Sequence, residues 1–326
     1  MKRFLCASLL LTSVLAVSSC SLNNDIRIGT GDVGGKYYSY GTALSQVIEE
    51  STDGKLTFKV RETAGSAGNM RLMKDDYIQL AFTQSDVLLD SYNGTGSFTE
   101  PFKDCAAIAG LYTEACQIVV AQDSDIETVS DLYGKRVSLG ETESGVVQNA
   151  KQILSAYGIS EDMLDAQYLS FTDSAAALQN GDIDAFFCTA GTPTSAVAEL
   201  SRSGAIRILP VNGTEAERLI EQYPAYTPYV IEAGTYKNQT EDIETLGVKT
   251  LLVARGDLSD SDAEAITAAI FENSDELTYA IEGDSTVTPE SATENIPIPF
   301  HDGAAQYYSS VGIDVTSQTD AEQEVK

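Results

Sequence analysis

Short apolar segments alternate with amphipathic segments along most of the chain, a pattern typical of α/β proteins. Ile26–Ile28 predicts a strand, and a loop rich in glycine follows at residues 29–35. Apolar positions at Ala43, Leu44, Val47 and Ile48 then predict a helix over Tyr38–Glu50. Further strands are predicted at Leu56–Val60, Ile78–Phe82, Ile108–Leu111, Ile118–Ala121, Arg136–Leu139 and Ile183–Phe187. Further helices are predicted through Leu72 and Met73, over Val146–Tyr157, and over Ser174–Gln179 with Asp173 as N-cap and Gly181 as stop.

The same order of elements occurs twice. A short helix, a polar stop and an Ile-x-x-Ala-Phe-like strand occur around Ile78 and again around Ile183. We therefore predict two similarly built α/β lobes with mostly parallel sheets. Ligands of such sheets bind beyond the carboxyl ends of the strands, so the loops there should face one another across a cleft. These loops are Gly29–Gly35, Ala64–Asn69, Gln84–Asp86, Gly140–Gly145 and Thr189–Thr192.

The N-terminus has the features of an export signal. Lys2 and Arg3 precede an apolar stretch over Phe4–Val17, which is short for a membrane span. It ends at Val17-Ser18-Ser19-Cys20, which resembles a bacterial lipoprotein signal. That resemblance implies cleavage before Cys20, lipid on this cysteine, and a tether over residues 20–25. The alternative is an ordinary signal peptide that contains a cysteine.

Charge excludes one class of partner. The chain of 326 residues carries a formal net charge of −29 with a pI near 4.1, and loss of Lys2 and Arg3 would make the charge −31. Nucleic-acid binding depends largely on neutralisation of phosphates by Lys and Arg, so we expect none. The remaining 307 residues, after removal of 19 from 326, suffice for two lobes. Such acidity otherwise serves solubility.

The sequence offers little catalytic chemistry. His301 is the only histidine, there is no G-x-S-x-G, and no phosphate-loop lysine or zinc pattern occurs. We therefore expect no enzyme activity, no metal and no cofactor, and a structural or surface role for His301. Outside the cell, Cys105 and Cys116 could pair if a turn near residues 112–114 brought them together. Cys188 lies in an apolar run and is expected to be buried.

The glycine-rich loop allows three interpretations. Gly29, Gly31 and Gly34 match the dinucleotide fingerprint G-x-G-x-x-G, but such a cofactor is scarce outside the cytoplasm. The glycines can instead only permit a tight turn. In the third interpretation they let a small ligand approach the backbone, with Tyr37 and Tyr38 as walls. We favour the third.

The loop and later segments together resemble the TAXI family, the solute receptors associated with TRAP transporters. The matching segments, in order, are Gly29-Thr30-Gly31, Gly34-Gly35, Tyr37-Tyr38, Thr63-Ala64-Gly65-Ser66, Asn69, Arg71-Leu72, Phe82, Gln84-Ser85-Asp86, Asp90, Tyr92-Asn93-Gly94, Ala109, Leu111-Tyr112, Asp131-Leu132, Gly134-Lys135-Arg136-Val137, Asp182, Asp184-Ala185-Phe186-Phe187, Thr189-Ala190-Gly191, Pro193-Thr194, Tyr223-Pro224, Tyr226-Thr227, Gly234-Thr235-Tyr236 and Ile296-Pro297-Ile298-Pro299-Phe300-His301. Each piece is weak, but the ordered set covers nearly the whole mature chain.

The resemblance implies a periplasmic-binding-protein fold, type II-like, with two α/β lobes that close on a solute. Lobe I would comprise residues 26–115 and 250–326, and lobe II residues 116–249, with crossovers near Ala115–Val120 and Thr250–Ala254. The protein would be a monomeric receptor that delivers a small organic acid or amino acid, such as glutamate, glutamine or 2-oxoglutarate, to the membrane subunits of an ion-gradient-driven TRAP transporter. The alternatives are a receptor of an ABC importer and a surface antigen or adhesin lipoprotein without a transport role.

The resemblance and the loop positions together nominate the ligand contacts. These are Gly34, Gly35, Tyr38, Ser66, Asn69, Gln84, Ser85, Glu143, Ser144, Gly145, Thr189, Gly191 and Thr192. One departure concerns Glu143 and Val146, where the family often has glycine and threonine. If Glu143 faces the cleft, it disfavours a second carboxylate or selects an amine; if it faces solvent, it has no such role. A dicarboxylate would need help from helix N-termini and from Arg61 or Arg71. We therefore expect an amino acid or a solute with both an acidic and an amine or amide group.

Overall fold

The computed structural model describes residues 25–204, 206–281 and 286–324. The predicted signal over residues 1–19 and the lipidation site Cys20 lie outside these ranges. The strands are β1 Ile26–Gly29, β2 Phe58–Arg61, β3 Leu80–Gln84, β4 Cys105–Ala121, β5 Arg136–Ser138, β6 Asp165–Gln167, β7 Ala185–Ala190, β8 Ile206–Leu209, β9 Tyr226–Ile231 and β10 Ile243–Arg255. The helices are α1 Lys36–Ser51, α2 Ser66–Lys74, α3 Ser85–Asn93, α4 Gly145–Ala156, α5 Phe171–Asn180, α6 Ser195–Ser201, α7 Gly213–Gln222, α8 Asp260–Glu272, α9 Ser274–Ala280, α10 Pro289–Thr293, α11 Asp302–Ser310 and α12 Gln318–Glu324. Two short 3-10 turns lie at Val129–Leu132 and Glu161–Met163.

One mixed sheet of ten strands contains two parallel triplets. In the first, β1 lies between β2 and β3; in the second, β5 lies between β6 and β7. The long antiparallel pair β4 and β10 joins the triplets, giving the order β2-β1-β3-β10-β4-β7-β5-β6, with β8 on β4 and β9 on β10. The prediction of parallel sheets is therefore correct for the triplets and wrong for the centre of the sheet.

The apolar side chains form separate cores on the two sides of this junction. The first core takes its buried residues from positions 26–111 and 251–308. Two further clusters take theirs from positions 115–248. The long strands β4 and β10 run through both regions, and the predicted crossovers at Ala115–Val120 and Thr250–Ala254 fall within them.

The continuity of β4 corrects two expectations. We predicted separate strands at Ile108–Leu111 and Ile118–Ala121, but residues 112–117 continue the same strand because they pair with β10 and β7. Cys105 and Cys116 are both buried and free. Eleven residues of extended strand put them roughly 35 Å apart, far beyond the reach of a disulfide. Cys188 is buried, as predicted.

Two strands and one helix begin at residues other than those predicted. The strands β3 and β7 begin two residues later than predicted, because Ile78 and Ile183 are buried in the turns before them rather than paired. Helix α5 begins at Phe171, since the Ser170 hydroxyl accepts the Asp173 amide and is the N-cap in place of Asp173. Gly181 does end this helix, with a φ of 75°.

His301 has the structural role expected for it, but it is buried rather than on the surface. Its side chain is 2% exposed, its Nδ1 accepts the Gly303 amide, and its Nε2 lies 3.0 Å from the Leu258 carbonyl. It therefore caps α11. Among the described residues, every helix is too short or too polar to cross a bilayer.

Candidate ligand-binding site

A pocket lies between the two halves of the molecule, a place where small-ligand sites commonly occur. Loops from both halves and the central strand β4 build it. Its lining residues are Gly31, Asp32, Gly35, Lys36, Tyr37, Ala64, Gly65, Ser66, Gln84, Glu114, Glu141, Ser144, Gly145, Val146, Ser170, Phe171, Thr189 and Ala190.

The first wall consists of two helix N-termini. Helices α1 and α2 begin after Gly35 and Gly65, and neither glycine can supply a side-chain cap. Gly65 has a φ of 105°, a conformation that a residue with a Cβ rarely adopts. Uncapped first turns present amide N–H groups and the positive end of the helix dipole. This wall therefore suits the anionic part of a ligand.

The opposite wall has capped helices. The Ser144 hydroxyl accepts the Val147 amide at 3.3 Å, and the Ser170 hydroxyl accepts the Asp173 amide at 3.1 Å. Gly145, the first residue of α4, packs so closely on the Gln84 side chain that a Cβ at this position would collide with Gln84 Oε1. The second wall thus contributes close packing and hydroxyl groups.

The floor of the pocket is a buried polar pair. Gln84, 1% exposed, donates from Nε2 to Glu114 Oε2 at 2.7 Å. Gln84 Oε1 has no hydrogen-bond partner within the described part of the chain. Burial raises the pKa of Glu114 to about 8, although the hydrogen bond from Gln84 opposes the shift. At neutral pH the Glu114 side chain is therefore mostly protonated.

Several hydrogen bonds join the two halves across the pocket. Lys36 Nζ donates to the Thr192 carbonyl at 2.8 Å, and the Gly68 amide donates to the Glu143 carbonyl at 2.9 Å. Beside the pocket, Asp86 accepts the Asn149 side-chain amide at 3.0 Å. The structure thus has the cleft closed.

The mouth of the pocket is acidic. Asp32 belongs to the first half and Glu141 to the second, and both line the pocket. Burial raises the pKa of Glu141, and the carboxylates of Asp32, Glu62 and Asp173 add to the shift. Like charges on both sides of the mouth repel anions that approach it and attract cations.

The structure brings six of the thirteen nominated residues into the pocket lining. They are Gly35, Ser66, Gln84, Ser144, Gly145 and Thr189. Gly191 and Thr192 line a neighbouring cavity, and Gly34 packs beside Thr172 and Ala196 where the halves meet. Tyr38 and Ser85 lie next to lining residues in α1 and α3 but are not part of the lining.

Asn69 and Glu143 have other partners. Asn69 is fully buried and donates to the carbonyls of Thr30 and Phe82, so it fastens the loop after β1 to β3. The Glu143 carboxylate lies 3.5 Å from Arg71, with half of its side chain exposed. Glu143 has a φ of 70°, which explains why glycine is common at this position in the TAXI pattern.

Sequence reasoning missed the acidic floor and the cross-cleft lysine. Glu114 was hidden because residues 112–114 were assigned to a possible turn, and an isolated Glu among many carries no signal. Lys36 directly follows the glycines, and its position at the first residue of α1 was the available clue. Phe171 was missed because we predicted that α5 begins later.

The fold is that of periplasmic solute-binding proteins. PhnD1 from Prochlorococcus marinus MIT 9301, solved in complex with methylphosphonate, is similar with a TM-score of 0.56 at 12% identity, over 82% of this chain and 93% of that one. An ancestral arginine-binding protein bound to arginine has a TM-score of 0.50 at 14% identity, over 79% and 96%. A protein from Bordetella bronchiseptica RB50 has a TM-score of 0.51 at 16% identity, over 90% and 83%. These low identities establish a shared fold alone.

The NMT1-like family model matches residues 28–312, which is most of the chain. The chain belongs to the NMT1-like family.

Proposed function

We propose that this protein is an extracytoplasmic solute receptor that closes its two halves on a small organic acid or amino acid and delivers it to a membrane transporter. The observation that carries this proposal is the pocket itself. Its walls come from both halves, and its floor has a buried Gln84 oxygen that has no hydrogen-bond partner among the residues the structure describes. A buried acceptor without a partner is costly, so a donor from a bound solute would stabilise it.

The proposed lobes follow the cores. Lobe I would contain residues 26–115 and 250–326, and lobe II residues 116–249. The separation of buried residues into positions 26–111 with 251–308 and positions 115–248 supports these boundaries. Closure would then be a bend within β4 and β10, whose pairing shifts register between Lys249 and Leu251 and again between Leu252 and Val253.

We further propose a TRAP transporter as the partner, on the resemblance of the loop segments to TAXI receptors. A receptor of an ABC importer is the second candidate, because the fold serves amino-acid and other solute receptors alike. A surface antigen or adhesin is less well supported, since a closed pocket assembled from two halves has no use in adhesion. The same pocket, without a nucleophile–base pair in its lining, supports a receptor over a hydrolase.

A lipid anchor on Cys20, after removal of residues 1–19, would hold the receptor at the membrane through residues 20–25. Cells grown with an alkyne-tagged fatty acid should label the protein, and Cys20→Ser should abolish the label. A labelled Cys20→Ser variant would contradict the anchor without bearing on the pocket.

Ligand binding tests the receptor. Purified protein, stripped of solute by unfolding and refolding, should gain several degrees of melting temperature with one organic acid or amino acid, because a ligand of the native state stabilises it by mass action. No shift across a broad panel would refute the receptor. Uptake of that solute by cells then separates the partners: a TRAP system loses uptake when an ionophore collapses the ion gradient, whereas an ABC importer loses it when ATP is depleted.

A further inference from the structure

The floor of the pocket combines a buried carboxyl group with a buried amide oxygen. Glu114 receives side-chain hydrogen bonds from Gln84, Thr250 and Tyr37, all of which are uncharged donors. Glu114 is 3% exposed, and burial is the largest influence on its pKa, which it raises. Its neighbour Gln84 has already committed Nε2 to Glu114 Oε2, which leaves Gln84 Oε1 unpartnered among the described residues. Both side chains line the pocket. A ligand group that donates a hydrogen bond to Gln84 Oε1 and carries a positive charge beside Glu114 would therefore fit this floor.

We propose that the pocket selects solutes with an ammonium group, which lies on the floor between the Glu114 carboxylate and Gln84 Oε1. The inference rests on the proposed receptor function and names its substrate class. It places the acidic end of the solute at the other wall, where α1 and α2 begin without side-chain caps. Glu114 is thus the specificity-determining residue of the pocket.

An ammonium group fits this floor better than the alternatives. It has three N–H donors and a positive charge, so it can serve both Gln84 Oε1 and the Glu114 carboxylate. A hydroxyl group has one donor and cannot serve both. A second carboxylate brings no donor, and the acidic groups Asp32 and Glu141 at the mouth add repulsion. The expected solute is therefore an amino acid or a related zwitterion.

Binding of such a solute must displace a proton. In the ligand-free protein Glu114 is mostly protonated at pH 7, because burial raises its pKa to about 8. The ammonium favours the ionised carboxylate, so the Glu114 O–H bond breaks, the electron pair stays on the carboxylate, and the proton passes to the buffer. Release should approach one proton for each solute bound at pH 7. At pH 9 it should vanish or turn into uptake, because Glu114 is already ionised there and part of the free solute's amine must gain a proton to bind as an ammonium.

The proton release can be assigned to Glu114 because its titratable neighbours change protonation little between pH 7 and 9. The titratable residues that face it from α1, α3, β4 and β7 are Tyr37, Asp86, Tyr112, Cys116 and Cys188, and Lys36 lies across the pocket. Burial raises the pKa values of both tyrosines and both cysteines, so these four stay neutral between pH 7 and 9. Burial raises the pKa of Asp86 to about 6, so Asp86 is already ionised in this range.

Calorimetry on the full chain tests the inference. The probes are L-glutamate and L-glutamine, other amino acids as needed, and the amine-free acids 2-oxoglutarate and glutarate, each titrated at pH 7 and 9 in buffers of different ionisation enthalpy. We expect the best amino acid to bind at least tenfold tighter than its amine-free counterpart and to release close to one proton at pH 7. Glu114→Gln should weaken that amino acid at least tenfold and abolish the proton release. Glu50→Gln, an exposed change of the same charge at the end of α1, should do neither.

The outcomes separate the inference from the receptor. Preference for an amine-free acid, or unchanged selectivity and proton release in Glu114→Gln, would overturn the ammonium site and leave the receptor intact. Absence of binding across the whole panel would refute the receptor itself, and the ammonium site with it. If Glu114→Gln does not fold, the paired ligands still decide: a wild-type preference for the amine-free acid over its amino-acid counterpart overturns the inference.

Discussion

Residues 26–93 and residues 136–201 fold in the same order, but their helices begin differently. In each half the first strand lies between the next two, so β1 matches β5 and α1 matches α4. In the first half, α1 and α2 follow glycines and have no side-chain cap. In the second half, serine hydroxyls cap α4 and α5. The same topology thus gives helix starts without side-chain caps on one wall and with such caps on the other, although the Gly68 amide in the first turn of α2 already donates to the Glu143 carbonyl.

The two halves are therefore expected to contribute differently to ligand binding. The start of α1, and the N–H groups of α2 that precede Gly68, can receive an anionic group directly from the backbone. The capped helices of the second half need no ligand to satisfy their first turns, so that half can act as a preformed cover. The polar floor at Gln84 and Glu114 lies where they meet and belongs to the junction.

The largest expected effect comes from the close packing of the cover. Gly145→Ala places a methyl group against Gln84 Oε1 and within 3.1 Å of Ser66 Oγ, so either the Gln84 side chain leaves its hydrogen bond with Glu114 or the halves stay slightly apart. We expect solute affinity to fall roughly 10- to 100-fold by calorimetry, since overpacking costs about 1–3 kcal/mol. X-ray scattering with solute should show a larger radius of gyration than the wild type.

Gly68→Ala is the matched control for this substitution. Gly68 lies within α2, and its added methyl group would make only ordinary contacts, with Ala64 at 3.6 Å and with Glu143 of the other half at 3.8 Å. Affinity should therefore be unchanged and stability equal or higher. Equal affinities for the two variants would show that the second half does not close on the first.

The next effect concerns the junction. A carboxyl group whose pKa is raised on folding disfavours the folded state once it must ionise, so the free energy of unfolding should rise as pH falls from 8 to 6. The pKa of Glu114, raised to about 8 by burial, predicts a change on the order of 2 kcal/mol over that window. Glu114→Gln should be more stable than wild type at pH 8 and should lose most of the dependence, as measured by urea denaturation without ligand. If the free energy of unfolding of the wild type instead increases from pH 6 to pH 8, the pKa of Glu114 is not raised in the folded protein.

A smaller effect tests the serine caps. Ser170→Ala removes the acceptor of the Asp173 amide and should lower the free energy of unfolding by about 1 kcal/mol. Ser170→Gly should lower the free energy of unfolding by only about a few tenths of a kcal/mol, because glycine is tolerated at an N-cap. Urea denaturation of the ligand-free protein measures both. If the two variants are equally stable, the hydroxyl is not the cap and the contrast between the walls disappears.

The smallest expected effect is at Glu143. Its ion pair with Arg71 is 3.5 Å long and half exposed, so Glu143→Ala should change the free energy of unfolding by less than about 1 kcal/mol. Glu143→Gly should be equally mild, because release of the left-handed backbone offsets the lost pair. Solute selectivity should be unaltered in both. A changed preference between an amino acid and a dicarboxylate would instead bring the Glu143 side chain into the recognition of the solute.

The sequence predicts local elements well because their signals are local. The apolar spacing in α1 and α4 and the stop at Gly181 depend only on neighbouring residues, and each is present in the structure. The antiparallel junction was not predicted because β4 pairs with residues more than a hundred positions away in β10. In addition, the polar residues Thr113 and Glu114 lie between two apolar stretches, which is a pattern also typical of a turn. The glycine loops indicated a cleft, but Glu114 acquires meaning only through burial, which no local pattern encodes.

The interleaved chain path also constrains the order of folding. The core of residues 115–248 is continuous in sequence and can assemble as soon as that stretch is available. The other core must wait, since Leu251–Ala254 of β10 and Tyr308 of α11 complete it. We therefore expect a chain that ends just after Val248, part-way along β10, to keep a folded middle segment while residues 26–111 remain unfolded and open to proteases. Residues 26–111 are made before the middle segment, but they complete their fold after it.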